Sequence, residues 1–180
     1  TGVQTCALPI WGIIKRTYGG GVLNSKFAVH DDILRRVNIN LEGKIKIAEK
    51  AFELIRSGET IFLDISSINI LIAEKIAKGN KKLLVITNMI DIIRTFSKCD
   101  HVDVIGTGGA FNKEVNGFVG SSSIECILKH KVNRAFIGSC GINMIDKSIT
   151  TYDIEDGNTK KAIISSGKKV YLVIENKKFY

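Results

Sequence analysis

From Thr60 onward, short apolar runs alternate with segments of helical periodicity, and this alternation constrains the fold more than any other feature. The apolar runs predict strands at 60–64, 83–87, 101–105, 133–138 and 169–174. The periodic segments predict helices at 42–56, 67–78, 89–98, 121–130 and 154–165. Strands that alternate with helices across short turns indicate an α/β fold, with a mainly parallel sheet and helices on both faces.

The first predicted strand runs directly into a helix start through Asp64, Ser66 and Ser67. A helix N-terminus offers unpaired N–H groups and a partial positive charge, which stabilise an anion by roughly 0.3–1 kcal/mol at exposed sites. Serine is also a good N-cap residue, so the same residues fit an ordinary capped turn. Taken alone, this stretch favours the capped turn over a phosphate-binding loop.

Ligands of parallel α/β sheets bind beyond the carboxyl ends of the strands, which directs attention to the loops that follow them. Thr87 and Asn88 follow the second strand, where they either contact a ligand or cap the next helix. The third strand is followed by Gly106-Thr-Gly-Gly109, where backbone can approach a ligand closely. This loop lacks the GxGxxG spacing and the Walker lysine, so neither a dinucleotide nor an ATP site is predicted.

Further candidates follow the fourth and fifth strands. Cys140 lies in Gly138-Ser-Cys-Gly141, and with no histidine near it in sequence it fits a small filler residue better than a reactive thiol. Lys160 lies on the last predicted helix and could hold a phosphate as a point charge, although an exposed helical lysine usually meets only water. Glu175 and Lys178 follow the fifth strand and could face the same site.

Composition narrows the class of protein. No apolar run reaches the length of a membrane span and no signal peptide opens the chain, so we expect a cytoplasmic protein without a membrane partner. The four cysteines form no CxxC pair and no metal-like spacing with the three histidines. We therefore expect reduced thiols, no metal and no cofactor, while the net charge of +8 only suggests tolerance for anionic partners.

The chain before the α/β region divides into three predicted parts. Residues 1–10 resemble a translated sequencing-adapter scar that belongs to no fold, which implies a gene cut at its front edge. Residues 11–23 suit a hairpin with a glycine-rich exit, and residues 24–40 read as a linker with one helical turn or more. The compact domain is predicted over 41–180.

Together, the order and spacing of several segments resemble one known family, the C-terminal effector-sensing domain of DeoR-type transcriptional repressors. The resemblance runs from about Lys44 to Phe179 and is carried by Ile47-Ala-Glu-Lys-Ala51, Gly58-Glu-Thr-Ile-Phe-Leu-Asp64, Val85-Ile-Thr-Asn88, Gly108-Gly109, Gly117-Phe-Val-Gly120, Ala135-Phe-Ile-Gly138, Ile149-Thr-Thr151, Lys160-Lys161-Ala162 and Lys178-Phe179. Residues 12–20 are similar to the wing of the family's N-terminal winged helix-turn-helix, whose recognition helix would lie upstream.

The resemblance implies a three-layer α/β/α fold related to ribose-5-phosphate isomerase and the sugar-phosphate deaminases. It implies an effector pocket for a phosphorylated sugar lined by Asp64, Ser66, Ser67, Thr87, Asn88, Gly108, Gly109, Cys140, Gly141, Lys160, Glu175 and Lys178. Effector binding would change the affinity for operator DNA by a coupling of about 1–3 kcal/mol. It further implies self-association, DNA-phosphate contacts from Lys15 and Arg16, and relatives that continue past Phe179, so that the domain would be truncated at its C-terminus.

The chain departs from the family pattern at three places. Ile65 to Asn69 replace a glycine and a run of hydroxyls, and if the lost glycine had positive φ, a serine there would cost on the order of 1–2 kcal/mol. Cys140 and Glu175 each stand where the family usually has an aspartate. The alternative function is a sugar-phosphate isomerase or deaminase of the same fold, but few catalytic candidates lie in the predicted loops, so we expect no enzyme.

Overall fold

The computed structural model describes residues 14–17, 20–23 and 33–180. Residues 33–180 form one compact unit, and the two short strands before them belong to another. These strands, β1 (Ile14–Thr17) and β2 (Gly20–Leu23), form an antiparallel hairpin in which Lys15 pairs with Val22 and Arg16 with Gly21. The predicted scar at 1–10 and the side chains of Lys15 and Arg16 lie outside the described residues.

The larger unit alternates strands with helices, as predicted. Its strands are β3 (Thr60–Leu63), β4 (Leu83–Thr87), β5 (Val102–Gly106), β6 (Ala110–Asn112), β7 (Gly117–Val119), β8 (Val132–Ile137), β9 (Gly141–Ile142), β10 (Ile149–Thr150) and β11 (Gly167–Leu172). Its helices are α1 (Ile33–Asn38), α2 (Leu41–Leu54), α3 (Ser67–Lys78), α4 (Ile90–Phe96), α5 (Ser121–Leu128) and α6 (Ile154–Ser166), with a 3-10 helix at Asn176–Lys178.

The main sheet is fully parallel, with the strand order β11-β8-β3-β4-β5. All five predicted strands form this sheet, and the predicted α/β class is confirmed. The short antiparallel hairpins β6–β7 and β9–β10 were not predicted, because strands of two or three residues are too short to show a period.

Two cores lie on opposite faces of the sheet. Along β3, Ile61 and Leu63 pack into one core, which also holds apolar residues of α2, α3 and α4, whereas Phe62 packs into a second core with residues of α5 and α6. This alternation follows from the period of two along a strand, and it produces helices on both faces. The sequence therefore fixes β3 as a strand buried on both sides.

The first helix lies in the segment predicted as a linker. Ile33 of α1 is buried in the same core as α3, so this helical turn belongs to the compact unit. None of the helices in the described part of the chain has the length and apolarity needed to cross a membrane. Cys99, Cys126 and Cys140 carry free thiols, whereas Cys6 lies outside the described residues.

Candidate functional site

The loops after β3, β4, β5 and β8 meet at one edge of the sheet, because the carboxyl ends of parallel strands share an edge. The N–H of Asp64 donates to the carbonyl of Phe136 at 3.1 Å, and the N–H of Thr107 donates to the carbonyl of Thr87 at 3.0 Å. The order of the strands thus brings together loops that are far apart in sequence. This edge holds the candidate site.

A buried triad of Asp64, Asp156 and Lys160 lies at the centre of this edge. The Lys160 ammonium lies 2.9 Å from Asp64 Oδ2 and 2.6 Å from Asp156 Oδ1. The other oxygens differ: Asp156 Oδ2 accepts from the N–H of Tyr152 at 3.1 Å, whereas the buried Asp64 Oδ1 has no hydrogen-bond partner among the described residues. The triad therefore keeps one acceptor unused.

Burial and mutual attraction act together on the charges of the triad. Burial raises the pKa of Asp64, an effect that the Lys160 ammonium only partly opposes. Burial alone would lower the pKa of Lys160, but the two carboxylates outweigh it and hold the pKa of the lysine above its ordinary value. Lys160 therefore stays charged, and its ammonium is shared between two buried carboxyl groups.

The turn after β3 forms the ordinary helix cap that the sequence predicted, directly after Asp64 of the triad. Ser66 Oγ accepts from the N–H of Ile68 at 3.2 Å at the start of α3, and Ser67 is buried beside it. Ser66 has φ −167°, which is extended backbone, and no residue from 65 to 69 has positive φ. The turn therefore carries no strain from positive φ, and the cost expected for a serine in place of a glycine does not arise.

Asn69 and Gly138 hold the aspartate in place. Asn69 Nδ2 donates to the carbonyls of Asp64 and Phe136 at 2.7 and 2.9 Å, and the N–H of Gly138 donates to Asp64 Oδ2 at 3.0 Å. A Cβ on Gly138 would lie 2.7 Å from that of Ser66, so only glycine fits at this approach. The carboxylate of Asp64 is thus held by the N–H of Gly138, while Asn69 ties together the backbone carbonyls of Asp64 and Phe136.

Two glycine-containing loops form the next part of the edge. Gly108 and Gly109 have φ +61° and +110°, and Gly120, at the N-cap of α5, has φ +87° without a side-chain cap. A Cβ on Gly109 would lie 3.1 Å from the N–H nitrogen of Ser123 in α5. Bare backbone therefore faces the uncapped start of a helix, an arrangement suited to an anion.

Thr87 and Asn88 mainly hold backbone. Thr87 Oγ1 donates to the carbonyl of Leu63 at 2.6 Å and accepts from the N–H of Met89 at 3.1 Å. Asn88 Nδ2 donates to the carbonyl of Phe118 at 3.3 Å, while its buried Oδ1 has no partner among the described residues. Asn88 thus retains one free acceptor, and Thr87 has the structural role that its position after a strand allows.

Ile65 and Ile68 are both buried, and Ile65 packs over the backbone of β7. A Cβ on Gly117 would collide with the side chain of Ile65. The bulky side chain of Ile65 is therefore accommodated by a glycine on the neighbouring hairpin.

The remaining predicted residues lie around the loop after β8. Cys140 is exposed, Gly141 lies against the Tyr180 ring, and Lys178 Nζ donates to the carbonyl of Ser139 at 2.7 Å. The carboxylate of Glu175 contacts Asn40 and Lys44, beside the start of α2. These contacts attach Lys178 to the loop after β8, and they direct Glu175 toward α2.

The sequence patterns did not single out Asp156, Asn69 or Gly138. Asp156 had a usable signal, since it precedes Lys160 by one helical turn on the same face. Asn69 and Gly138 act through contacts between neighbouring strands, which no local pattern reveals. Among the described residues, no cluster of three or more His, Cys, Asp or Glu side chains could hold a metal ion.

Comparison with known families gives a match over most of the chain. A family model described as the DeoR C terminal sensor domain matches residues 39–180. The lactose phosphotransferase system repressor of Lactococcus lactis subsp. lactis is 28% identical over 176 residues, which cover 96% of this chain and 68% of that protein. The glycerol-3-phosphate regulon repressor of Escherichia coli (strain K12) is 28% identical over 167 residues, covering 93% and 65%.

Solved structures share the fold. Ribose 5-phosphate isomerase A of Methanocaldococcus jannaschii superposes with a TM-score of 0.58 at 12% identity, over 78% of this chain and 55% of that chain. Identity this low relates the two by fold alone. The chain spans about two thirds of the length of the repressors it matches.

Proposed function

The chain belongs to the family of DeoR C-terminal sensor domains, and from that premise we propose that it senses a phosphorylated sugar for a DNA-binding repressor of carbohydrate metabolism. Of the two repressors named above, one is named for the lactose phosphotransferase system and the other for the glycerol-3-phosphate regulon. In this proposal the effector changes operator binding allosterically, through its preference for one arrangement of the sensor. The repressor acts in the cytoplasm, self-associates, and contacts operator DNA through its N-terminal part.

The observation that carries the proposal is the unused acceptor of the triad. Asp64 Oδ1 is buried at the meeting point of the strand-end loops and lacks a partner among the described residues. An unsatisfied buried acceptor costs about 1–3 kcal/mol, so a hydroxyl donor that reaches it gains affinity. A sugar supplies such hydroxyls, whereas a phosphate would have to lie beside two carboxyl groups whose one ammonium they already share.

The phosphate of the effector is better accommodated at the glycine loops. The N-terminus of α5 has no side-chain cap, and Gly109 brings bare backbone against Ser123. Unpaired N–H groups and the helix dipole both stabilise an anion there. We therefore assign hydroxyl recognition to Asp64 and phosphate recognition to the loop at Gly108–Gly109 with the start of α5, while Lys160 holds the two carboxylates together.

A sensor accounts for these features without catalysis. The likeness to ribose 5-phosphate isomerase is one of fold, and the family match is to a sensor domain. Lys160 is held by two carboxylates and is therefore a poor proton donor or acceptor near neutral pH. We propose binding and release of the sugar phosphate, with no chemical change.

The test is a thermal-shift screen of sugar phosphates with an isosteric variant. Binding to the native state alone at one hundred times Kd adds about 2.7 kcal/mol of stability, so an effector raises the thermal midpoint by several degrees. In Asp64→Asn, the amide oxygen can still accept from Gly138 and Lys160, but an NH2 donor replaces the free acceptor. We expect at least tenfold weaker binding, because the sugar hydroxyl loses its acceptor.

Asp103→Asn is the matched control, since Asp103 is an exposed carboxylate on β5. It should bind the effector like the wild type. A broad sugar-phosphate panel that shifts neither protein would refute effector sensing. A measurable isomerisation rate that disappears in Asp64→Asn would instead favour an enzyme.

A further inference from the structure

The C-terminal segment from Glu175 to Lys178 contacts the loop that adjoins the triad. Lys178 Nζ donates to the carbonyl of Ser139 at 2.7 Å, and Ser139 follows Gly138, whose N–H is bound to Asp64. Burial lowers the pKa of Lys178, and the nearby Arg36 lowers it further. One end of the segment is therefore attached to the backbone that holds the carboxylate of Asp64.

The other end of the segment contacts the junction between α1 and α2. Glu175 Oε1 accepts from Asn40 Nδ2 at 2.9 Å, and Glu175 Oε2 lies 3.8 Å from the ammonium of Lys44. Lys44 is only 2% exposed, and its ammonium also donates to the carbonyl of Arg36 in α1. Displacement of Glu175 would leave a buried ammonium without its carboxylate, so the junction depends on this residue.

Asn40 holds the junction in a backbone conformation that few residues other than glycine and asparagine adopt. Its φ and ψ are 54° and 44°, the left-handed region, and its side chain reaches Glu175 without capping α2. The absence of a side chain at Gly43 makes space for the Asn40 amide, since a Cβ at position 43 would lie 2.9 Å from Asn40 Nδ2. A rare backbone conformation held by a contact from a distant segment can relax when that contact is lost.

We infer that Glu175–Lys178, the coupling segment, transmits the state of the Asp64 site to α1, the first helix of the compact unit. The route is Asp64, Gly138–Ser139, Lys178, Glu175, and then Asn40 with Lys44. The inference rests on the proposed function, because it specifies how an occupied effector site would reach the chain that precedes the sensor. The inference requires that the junction between α1 and α2 can adopt two arrangements, and that the state of the Asp64 site shifts the equilibrium between them.

Amide hydrogen exchange on the full 180-residue chain tests the route without any ligand. Asp64→Asn, which perturbs only the site, should change the exchange rate of residues 33–44 by at least threefold. In the Lys178→Met background, which removes the contact with Ser139, the same substitution should leave that rate unchanged. Lys168→Met, at an exposed lysine of β11, should preserve the response to Asp64→Asn.

Glu175→Gln provides a second interruption if Lys178→Met does not fold. Glutamine keeps the acceptor for Asn40 but removes the charge that faces Lys44, so it tests the junction end of the route. The inference is overturned if Asp64→Asn leaves residues 33–44 unaffected. It is equally overturned if the response survives in the interrupted backgrounds.

Glycerol 3-phosphate and ribose 5-phosphate serve as probes in a second arm. A probe that raises the thermal midpoint of Lys178→Met but no longer changes exchange at residues 33–44 supports the route. If the probe changes exchange there as in the wild type, the route is refuted. Failure of the whole sugar-phosphate panel would count against the proposed function, whereas the ligand-free exchange result would still decide the coupling.

Discussion

Two buried ionic groups lie at opposite ends of the same parallel sheet, and they differ in what they leave unused. At the amino end, Arg134 of β8 bonds both oxygens of Glu59, at 2.7 and 3.0 Å, and also donates to the Tyr171 hydroxyl at 2.9 Å. At the carboxyl end, the triad leaves Asp64 Oδ1 without a partner among the described residues. The first group is complete, and the second is prepared for a further donor.

The comparison separates a structural ion pair from a recognition site. A bidentate guanidinium–carboxylate pair satisfies the fixed geometry of both partners and gains little from a ligand. The triad has one ammonium for two carboxyl groups, and it holds an acceptor that costs free energy while it is unpaired. Burial is therefore common to both groups, whereas only the triad leaves a carboxyl oxygen without a partner among the described residues.

The largest effect that tests this contrast is expected for Lys160→Met. Methionine fills a similar volume but leaves Asp64 and Asp156 buried without a cation, which should cost about 3–5 kcal/mol of unfolding free energy at pH 7. The loss should shrink as the pH falls, because burial raises the pKa of Asp64 and protonation then favours the folded state. Urea unfolding at several pH values measures both effects.

Lys168→Met is the control, since this exposed lysine should change stability by less than about 0.5 kcal/mol. Equal losses for the two lysines would show that the triad contributes no more than a solvated charge.

The second largest effect is expected for Arg134→Met, which should lower the free energy of unfolding by about 3 kcal/mol. This is the lower end of the range for a broken buried ion pair, because the Glu59 side chain is 16% exposed. The effector-induced rise of the thermal midpoint should remain, since this pair lies at the end of the sheet away from the triad. A loss of that rise at unchanged effector concentration would mean that the two ends of the sheet are coupled, and the contrast drawn above would fail.

The smallest effect is expected for the change in stability at acidic pH that arises from Glu59. Burial opposes the ionised form of Glu59, yet the hydrogen bonds from Arg134 outweigh it and lower the pKa of Glu59 below its ordinary value of 4.5. A carboxyl group with a lowered folded pKa stabilises the protein above the unfolded pKa and loses that contribution as the pH falls through the folded pKa. Urea midpoints below pH 4.5 should fall more steeply for the wild type than for Arg134→Met, and parallel slopes would contradict the pairing.

Much of the fold was predictable because its elements are long enough to show a period. The apolar run Ile61-Phe62-Leu63, followed by a segment of helical period, indicated a strand of an α/β sheet with helices on both faces. The structure confirms this, because side chains of the run pack into cores on both faces of the sheet. The two-residue strands β9 and β10 carry no such signal. Their pairing depends on the loop after β8 and on the C-terminal residues, as in the bond from the N–H of Tyr180 to Ile142.

The site was predictable in its parts and not in its geometry. Asp64 and Lys160 were singled out as residues, and Lys160 was considered either as a phosphate ligand or as an exposed lysine, whereas it lies buried between two carboxyl groups. Its role toward the effector stays a prediction, as do those of the other candidate residues. The pairing with Asp156 was present in the sequence as a one-turn spacing, but the approach of Asp64 requires the strand order to be known.

At the turn Thr60–Asn69, local sequence is enough to specify a strand, a capped helix start and a carboxylate between them. These follow from side-chain period and local hydrogen bonding, which act over a few residues. The tertiary structure alone decided that one oxygen of Asp64 is held by Gly138 and Lys160 while the other lacks a partner among the described residues. The physical reason is that these partners come from β8 and α6, whose distance from Asp64 is set by strand order and packing.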